Sequence, residues 1–153
     1  MGIKSFMGKR STVVEAPTNI RVSDYMSRKL ITFRPDQHVF EVMEQLIKHR
    51  ISGGPVVNEN NELLGIISEG DCMKQISDSR YYNMPMNEAT VEKNMNCHVD
   101  TIDGEMNVFD AAKLFIEKKH RRFPIVENGK LIGQISQKDV LKAALNLKGQ
   151  TWK

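Results

Sequence analysis

Two copies of one unit account for almost the whole sequence. At an offset of 69 positions, Val22, Met26, Thr32, Val39, Phe40, Ile47, Pro55 and Val57 fall on Val91, Met95, Thr101, Val108, Phe109, Ile116, Pro124 and Val126. One residue is then lost, and at an offset of 68 Leu63, Gly65, Ile67, Ser68, Asp71 and Lys74 fall on Leu131, Gly133, Ile135, Ser136, Asp139 and Lys142. A repeat this short leaves an apolar face bare when alone, so the two copies must pack against each other. The 153 residues, 40% of them hydrophobic, suffice for such a shared core without disulfides.

Within each copy the pattern predicts a short strand, a helix, two strands and a second helix. In the first copy "LITF" is an apolar piece ended by Pro35, and Val39, Val42, Met43, Leu46 and Ile47 then recur at helical spacing. "GPVV" and "LLGIIS" follow as strands around the polar loop "NENNE". The second copy replaces that loop by "ENGK", whose Asn128-Gly129 predicts a tight hairpin. The segment "SDSRYYNMPMNEAT" joins the copies, and its Pro85 is expected to stop any helix running out of the first. The chain therefore divides into an extension over 1–19, expected to be flexible, a first unit over 20–78, a linker over 79–90, a second unit over 91–147 and a tail over 148–153.

Composition removes several function classes. Cys72 and Cys97 have no C-x-x-C spacing, and Cys97-His98 alone is too small a ligand set for zinc, which points to a reducing, cytoplasmic compartment. No apolar run approaches the ~20 residues of a membrane span, and "MGIKSFMGKR" places charge where a signal peptide is apolar. A net charge of +3 is low for a nucleic-acid binder, and only Phe123 among the aromatics adjoins the basic stretch. His38, His49, His98 and His120 stand in no context that marks a nucleophile or a metal pair, so neither catalysis nor a metal site is expected.

The matched segments "GIISEGD" and "GQISQKD" carry the most chemistry. In each, a strand ends at Ser and an Asp follows three residues later as a helix begins. The plain reading is a capping box, with Ser68 or Ser136 as the cap and Asp71 or Asp139 reaching back to its amide. The same geometry also suits a ligand: a helix start offers N–H groups to phosphate, and a carboxylate accepts two hydrogen bonds from a ribose diol. Gly65 and Gly133 fit either reading, since each allows a close approach by another backbone or a flat ring.

A third element is "KKHRRFPIV", residues 118–126, where cations abut a buried strand. Lys118, Lys119 and His120 read as a solvated helix end that complements the dipole. Arg121 and Arg122 offer planar, bidentate donors for phosphate, and Lys138 adds a charge near the Ser136 helix start. The first copy has Ser52, Gly53 and Gly54 in the corresponding place, so the two phosphate positions are expected to be unequal.

From about residue 20 to 147 the chain resembles a tandem pair of cystathionine-β-synthase (CBS) domains, a Bateman module. The resemblance is carried by "MSRKLITFRPD", "VFEVMEQLIKHRISGGPVVN" and "LLGIISEGD", and again by "MNCHVDTIDGE" and "VFDAAKLFIEKKHRRFPIVENGKLIGQISQKDVLKAA". It implies an α+β fold of two pseudo-twofold-related β-α-β-β-α units packed sheet to sheet, with a cleft between them for adenine nucleotides or adenosyl compounds. It also implies a regulatory rather than catalytic role, with no obligatory cofactor. Carried over by position, Asp71 and Asp139 correspond to ribose-binding acids, Ser68 and Ser136 to the hydroxyls beside ribose or phosphate, and Thr32 and Thr101 to the adenine pocket, with Val57 and Val126 among the lining residues. Arg121 and Arg122 match phosphate contacts. Asp100 stands where the first copy has Ile31, giving one pocket a more polar wall.

The resulting expectation is a cytoplasmic signalling module that binds AMP, ADP, ATP or a related adenosyl ligand and acts on a regulated protein, with no membrane or nucleic-acid partner. The rival is a ligand-free dimerisation or protein-interaction module. A homodimer through the helices is expected from the stripes Val39, Met43, Leu46 and Val108, Ala112, Phe115, which two small units need not bury internally.

Overall fold

The structure is a computed structural model and describes residues 19–82 and 89–151. The extension read over 1–19 and the break at Pro85 fall almost wholly outside these residues. In chain order the elements are α1 (Val22–Tyr25), α2 (Val39–His49), β1 (Gly53–Val57), β2 (Leu63–Ser68) and α3 (Glu69–Tyr82), then α4 (Val91–Asn94), α5 (Val108–Lys118), β3 (Arg122–Glu127), β4 (Lys130–Ser136) and α6 (Gln137–Thr151). α6 passes the boundary at 147 that the sequence suggested. Among the described residues, β1 and β2 form one antiparallel pair and β3 and β4 a second. This is the two-unit α+β architecture that the repeat requires.

Local chemistry fixes most of these elements. α2 starts where the Phe40 amide donates to Nδ1 of His38 at 3.0 Å and the His38 amide donates to Glu41 at 3.1 Å. α5 starts at the matched Asn107, which accepts from the Phe109 amide at 2.8 Å. Both helices end on a left-handed residue, Arg50 (φ 55°) and Lys119 (φ 57°). Asn128 and Gly129 take φ values of 53° and 81°, the positive pair that a two-residue hairpin turn demands.

The first strand of each unit is shorter than the sequence predicts. Phe33 makes a single parallel bridge to Val56, and Ile102 makes one to Ile125. In the first, both backbone groups are used: Phe33 N–H donates to Pro55 O and Phe33 O accepts from Val57 N–H, both at 2.9 Å. Pairing stops there because the chain turns at once, at Arg34-Pro35 in one copy and Asp103-Gly104 in the other.

The core is built by exchange. α1, from the first repeat, sits in the second repeat's apolar cluster, where Val22 and Met26 join Ile102, Val108, Phe115, Phe123 and Ile135. α4, from the second repeat, sits in the first repeat's cluster, where Ala89 and Val91 join Phe33, Val39, Val42, Leu46 and Ile67. The hydrogen bonds repeat under the same symmetry. Val22 N–H donates to Met106 O, Ser23 N–H to Gly104 O and Val108 N–H to Ile20 O, at 2.8–2.9 Å. Their counterparts are Val91 N–H to Gln37 O, Glu92 N–H to Pro35 O and Val39 N–H to Ala89 O, also at 2.8–2.9 Å.

Two glycines permit the crossing. Ile66 and Asn96 exchange backbone bonds at 2.9 and 2.8 Å, and Ser27 and Gln134 do so at 2.8 and 3.0 Å. A Cβ on Gly65 would stand 2.6 Å from the Asn96 carbonyl oxygen, and one on Gly133 would stand 2.6 Å from the Met26 sulfur and 2.9 Å from Ser27 O. At both glycines a crossing backbone carbonyl would lie within 3 Å of the added Cβ, joined at Gly133 by the Met26 sulfur. The two hairpins also join end to end, through Leu63 N–H to Gly129 O at 3.3 Å and Leu131 N–H to Asn61 O at 3.0 Å.

The packing corrects one expectation. Val39, Leu46, Val108 and Phe115, named above as a surface stripe, lie within the two cores, and Met43 and Ala112 pack against them. The apolar side chains that α2 and α5 leave in solvent are instead Phe40, Ile47 and Ile116.

Candidate functional site at the crossing of the repeats

Each Ser-x-x-Asp segment forms a capping box. The amide and hydroxyl of Ser68 donate to Oδ2 of Asp71 at 2.9 and 3.0 Å, while the Asp71 amide donates to Ser68 Oγ at 3.3 Å. Ser136 and Asp139 repeat the set at 2.8, 3.0 and 3.3 Å. A further amide at each helix start is already used, Glu69 N–H by Ser52 O at 2.9 Å and Gln137 N–H by Arg121 O at 3.2 Å. Fewer open N–H groups thus face a ligand than the sequence suggested. The box leaves Oδ1 of Asp71 and of Asp139 without a hydrogen bond from the described residues, so each carboxylate keeps an acceptor for a ligand.

Around the first box lies a cleft of about 250 Å³, lined by Ile66, Ser68 and Asp71 of the first repeat and by Asn96, His98, Val99, Asp100, His120 and Arg122 of the second. The exchange explains this mixture: pairing of Asn96 with Ile66 carries residues 96–100 across the end of β2, and Arg122 reaches over to donate to Ser52 Oγ at 3.3 Å. A second cleft of about 210 Å³ shares Val99 with the first and is lined by Leu63, Leu64, Cys97, Thr101, Val126 and Gly129.

The sequence gathered Arg121, Arg122 and Lys138 about Ser136, and the geometry differs. Arg122 opposes Ser136 across the β3–β4 ladder, yet its side chain lines the cleft of Ser68 and Asp71. Arg121 and Lys138 are exposed. Thr101 and Val126 line the adjoining cleft, Thr32 is exposed and Val57 is buried. At Gly53, the counterpart of Arg122, a Cβ would meet Ile67 O at 2.8 Å, so a side chain there would force the β1–β2 backbone to shift. The two copies thus differ at this place, and the Arg122 side chain lines the cleft of Ser68 and Asp71.

Sequence reasoning passed over His98 and His120 as lining residues. His120 Nε2 is 2.9 Å from Asp100 Oδ2, Lys118 Nζ is 3.7 Å from Oδ1, and the His120 ring meets Phe123 edge-on at 5.1 Å. The hydrogen bond to His120, helped by the nearby charge of Lys118, holds the Asp100 carboxyl below the usual carboxylate range. Lys118 and His120 of "KKHRR" are therefore held against one carboxylate rather than left free.

Among the described residues no group of three or more His, Cys, Asp or Glu is placed to hold a metal, and no helix is long and apolar enough to cross a membrane. A sequence model of the CBS domain matches residues 22–78 and again residues 90–146. The chain is similar to the uncharacterized protein MK0525 of Methanopyrus kandleri, 33% identical over 81% of this chain and 62% of that one. It is also similar to the chloroplastic CBS domain-containing protein CBSX1 of Arabidopsis thaliana, 32% identical over 83% of this chain and 65% of the relative. It thus spans less than two thirds of the length of these two relatives.

Among solved structures, CBSX2 in complex with AMP matches with a TM-score of 0.74 and 30% identity, over 84% of this chain and 98% of that one. The CBS domain pair of protein MJ0100, in complex with 5′-methylthioadenosine and S-adenosyl-L-methionine, matches with a TM-score of 0.69 and 26% identity, over 86% and 100%. With two domain matches covering most of the sequence and a fold shared with such pairs, this chain belongs to the CBS-domain family.

Proposed function

We propose that the chain is a non-catalytic regulatory module that takes up an adenine nucleotide or adenosyl compound between its repeats and passes the bound state to a partner protein in the cytoplasm. One observation carries this reading: the cleft that sets Ser68 and Asp71 of one repeat against His120 and Arg122 of the other. Asp71 retains a free acceptor for a ribose diol, and Arg122 supplies a bidentate donor for phosphate. A ligand held by both repeats is sensitive to their relative placement, which is what a regulatory signal needs. The AMP complex of CBSX2 and the methylthioadenosine and S-adenosylmethionine complex of the MJ0100 pair support the ligand class.

Calorimetry with AMP, adenosine and S-adenosylmethionine tests it. Arg122→Ala should cost AMP about tenfold to a hundredfold in affinity, as befits loss of a charge-assisted hydrogen bond worth ~1.5–3 kcal/mol, and should leave adenosine nearly unchanged. Binding of none of the three would refute the reading.

A self-association role is favoured by a separate observation. Ile47 and Ile116, matched across the repeat, are 79% and 77% exposed, and Leu141 and Leu145 of α6 are 62% and 66% exposed. Exposed apolar side chains of this size favour a homodimer. A clean monomer by light scattering at micromolar concentration would remove it.

A further inference from the structure

We propose that Asp100 makes the cleft of Ser68 and Asp71 selective for ligands of low negative charge, favouring a nucleoside monophosphate over its di- and triphosphate. The inference rests on the nucleotide reading above and assigns a specificity role to a residue that reading does not use.

Asp100 occupies the place that Ile31 holds in the first repeat, so the repeat offers an internal comparison without the charge. Its carboxylate lines the cleft beside the one arginine there, Arg122, and the imidazoles of His98 and His120. It is already joined to His120 at 2.9 Å and to Lys118 at 3.7 Å. Those two side chains are thus already engaged by one carboxylate before a ligand arrives. Arg122 differs, because its contact within the protein is the neutral Ser52 hydroxyl at 3.3 Å. One guanidinium with an unanswered charge matches one phosphate group, gripped through two parallel N–H donors.

Further phosphates meet a different field. Arg121, the other arginine of the run, does not line the cleft, and the carboxylates of Asp71 and Asp100 both do. Each added phosphate therefore brings negative charge toward two anions with no further cation on the lining. Asp100 is held ionised by its hydrogen bond and stays an anion across the working pH range. Size acts in the same direction, since about 250 Å³ lies below the ~300–1,000 Å³ of most small-molecule sites.

The test is calorimetry with AMP, ADP and ATP, metal-free in EDTA so that each ligand carries its own charge, on the parent, Asp100→Asn and Asp100→Ile. The side chain is exposed, and thermal unfolding checks that both variants keep the fold. The parent should bind AMP more tightly than ATP. Each substitution should raise ATP affinity about threefold to tenfold more than AMP affinity, the scale of removing one like charge at close range in a partly solvated site. That difference should shrink at 0.5 M salt. A parent that prefers ATP, or variants that shift AMP and ATP by the same factor, would overturn the role of Asp100 while leaving the nucleotide reading standing. Failure of the parent to bind any of the three overturns both.

Discussion

Asp71 gives one carboxylate oxygen, Oδ2, to both the amide and the hydroxyl of Ser68, and keeps Oδ1 free of hydrogen bonds from the described residues. Structural and ligand-facing roles are thus divided between two atoms of one side chain, and Asp139 is built the same way. Asp71→Ala and Asp139→Ala should each lose ~0.5–2 kcal/mol of stability in urea denaturation, because each removes a capping box. Only Asp71→Ala should also weaken AMP at the cleft that contains Arg122. Greater loss of AMP binding from Asp139→Ala would place the ligand on the other side of the molecule.

Gly65 and Gly133 let the two repeats cross at backbone distance. Gly65→Ala drives a methyl to 2.6 Å from the Asn96 carbonyl oxygen, so the crossing strand itself has to move. A loss of ~1–3 kcal/mol is expected for this overpacked site. Gly133→Ala meets the flexible Met26 sulfur as well as Ser27 O and should fall in the lower half of that range. Gly149, within α6, has open space around it, and Gly149→Ala should stabilise by about 0.5–1 kcal/mol. Thermal unfolding of the three variants that failed to rank them in this order would contradict the crossing geometry.

The two thiols should differ in reactivity. Cys97 is exposed, whereas Cys72 is buried in the first core, and burial, reinforced by the neighbouring Asp71 and Glu69, pushes its thiol above the ordinary value. A chromogenic disulfide at neutral pH should therefore titrate one thiol rapidly, with the second appearing only on unfolding. Cys97→Ser should abolish the rapid phase. Two equally fast thiols in native protein would mean that the first core opens readily.

Asp100 supplies a pH dependence with a definite sign. Its folded pKa lies below the unfolded value near 3.8, so its pairing with His120 favours the folded state above that value and is lost as pH falls through the depressed one. The effect belongs to the acid limb and should leave stability flat near neutrality. Carboxyl ¹³C NMR should place the Asp100 midpoint below the ordinary aspartate range, and His120→Ala should return it toward that range. An unchanged midpoint in that variant would show that the pair does not persist in solution.

Much of the fold was legible because it is written in local chemistry. The Asn128-Gly129 turn and the two Ser-x-x-Asp caps depend on residues at most three apart, and the duplicated pattern gave the architecture. The exchange of α1 and α4 was not legible. Val22 and Met26, or Val91 and Met95, supply two apolar positions in one turn, too few for a period, and nothing local says which repeat they join. The site suffered from the same gap. Arg122 was read with Ser136, its neighbour in the hairpin, because the crossing that turns its side chain toward Ser52 is a long-range event. The helix surface failed for a related reason: periodicity marks both Val39 and Ile47 as apolar, and only the packed partner decides that Val39 turns inward.

The exchanged helices also set an order in time. During synthesis the first repeat emerges with a cluster that still lacks Ala89 and Val91, and the amide of Val22 waits for the carbonyl of Met106. A nascent chain halted between the repeats holds an open core, exposed to whatever apolar surface it meets. Neither half has a finished state of its own to reach first, so the two mature together, late, and as one cooperative event.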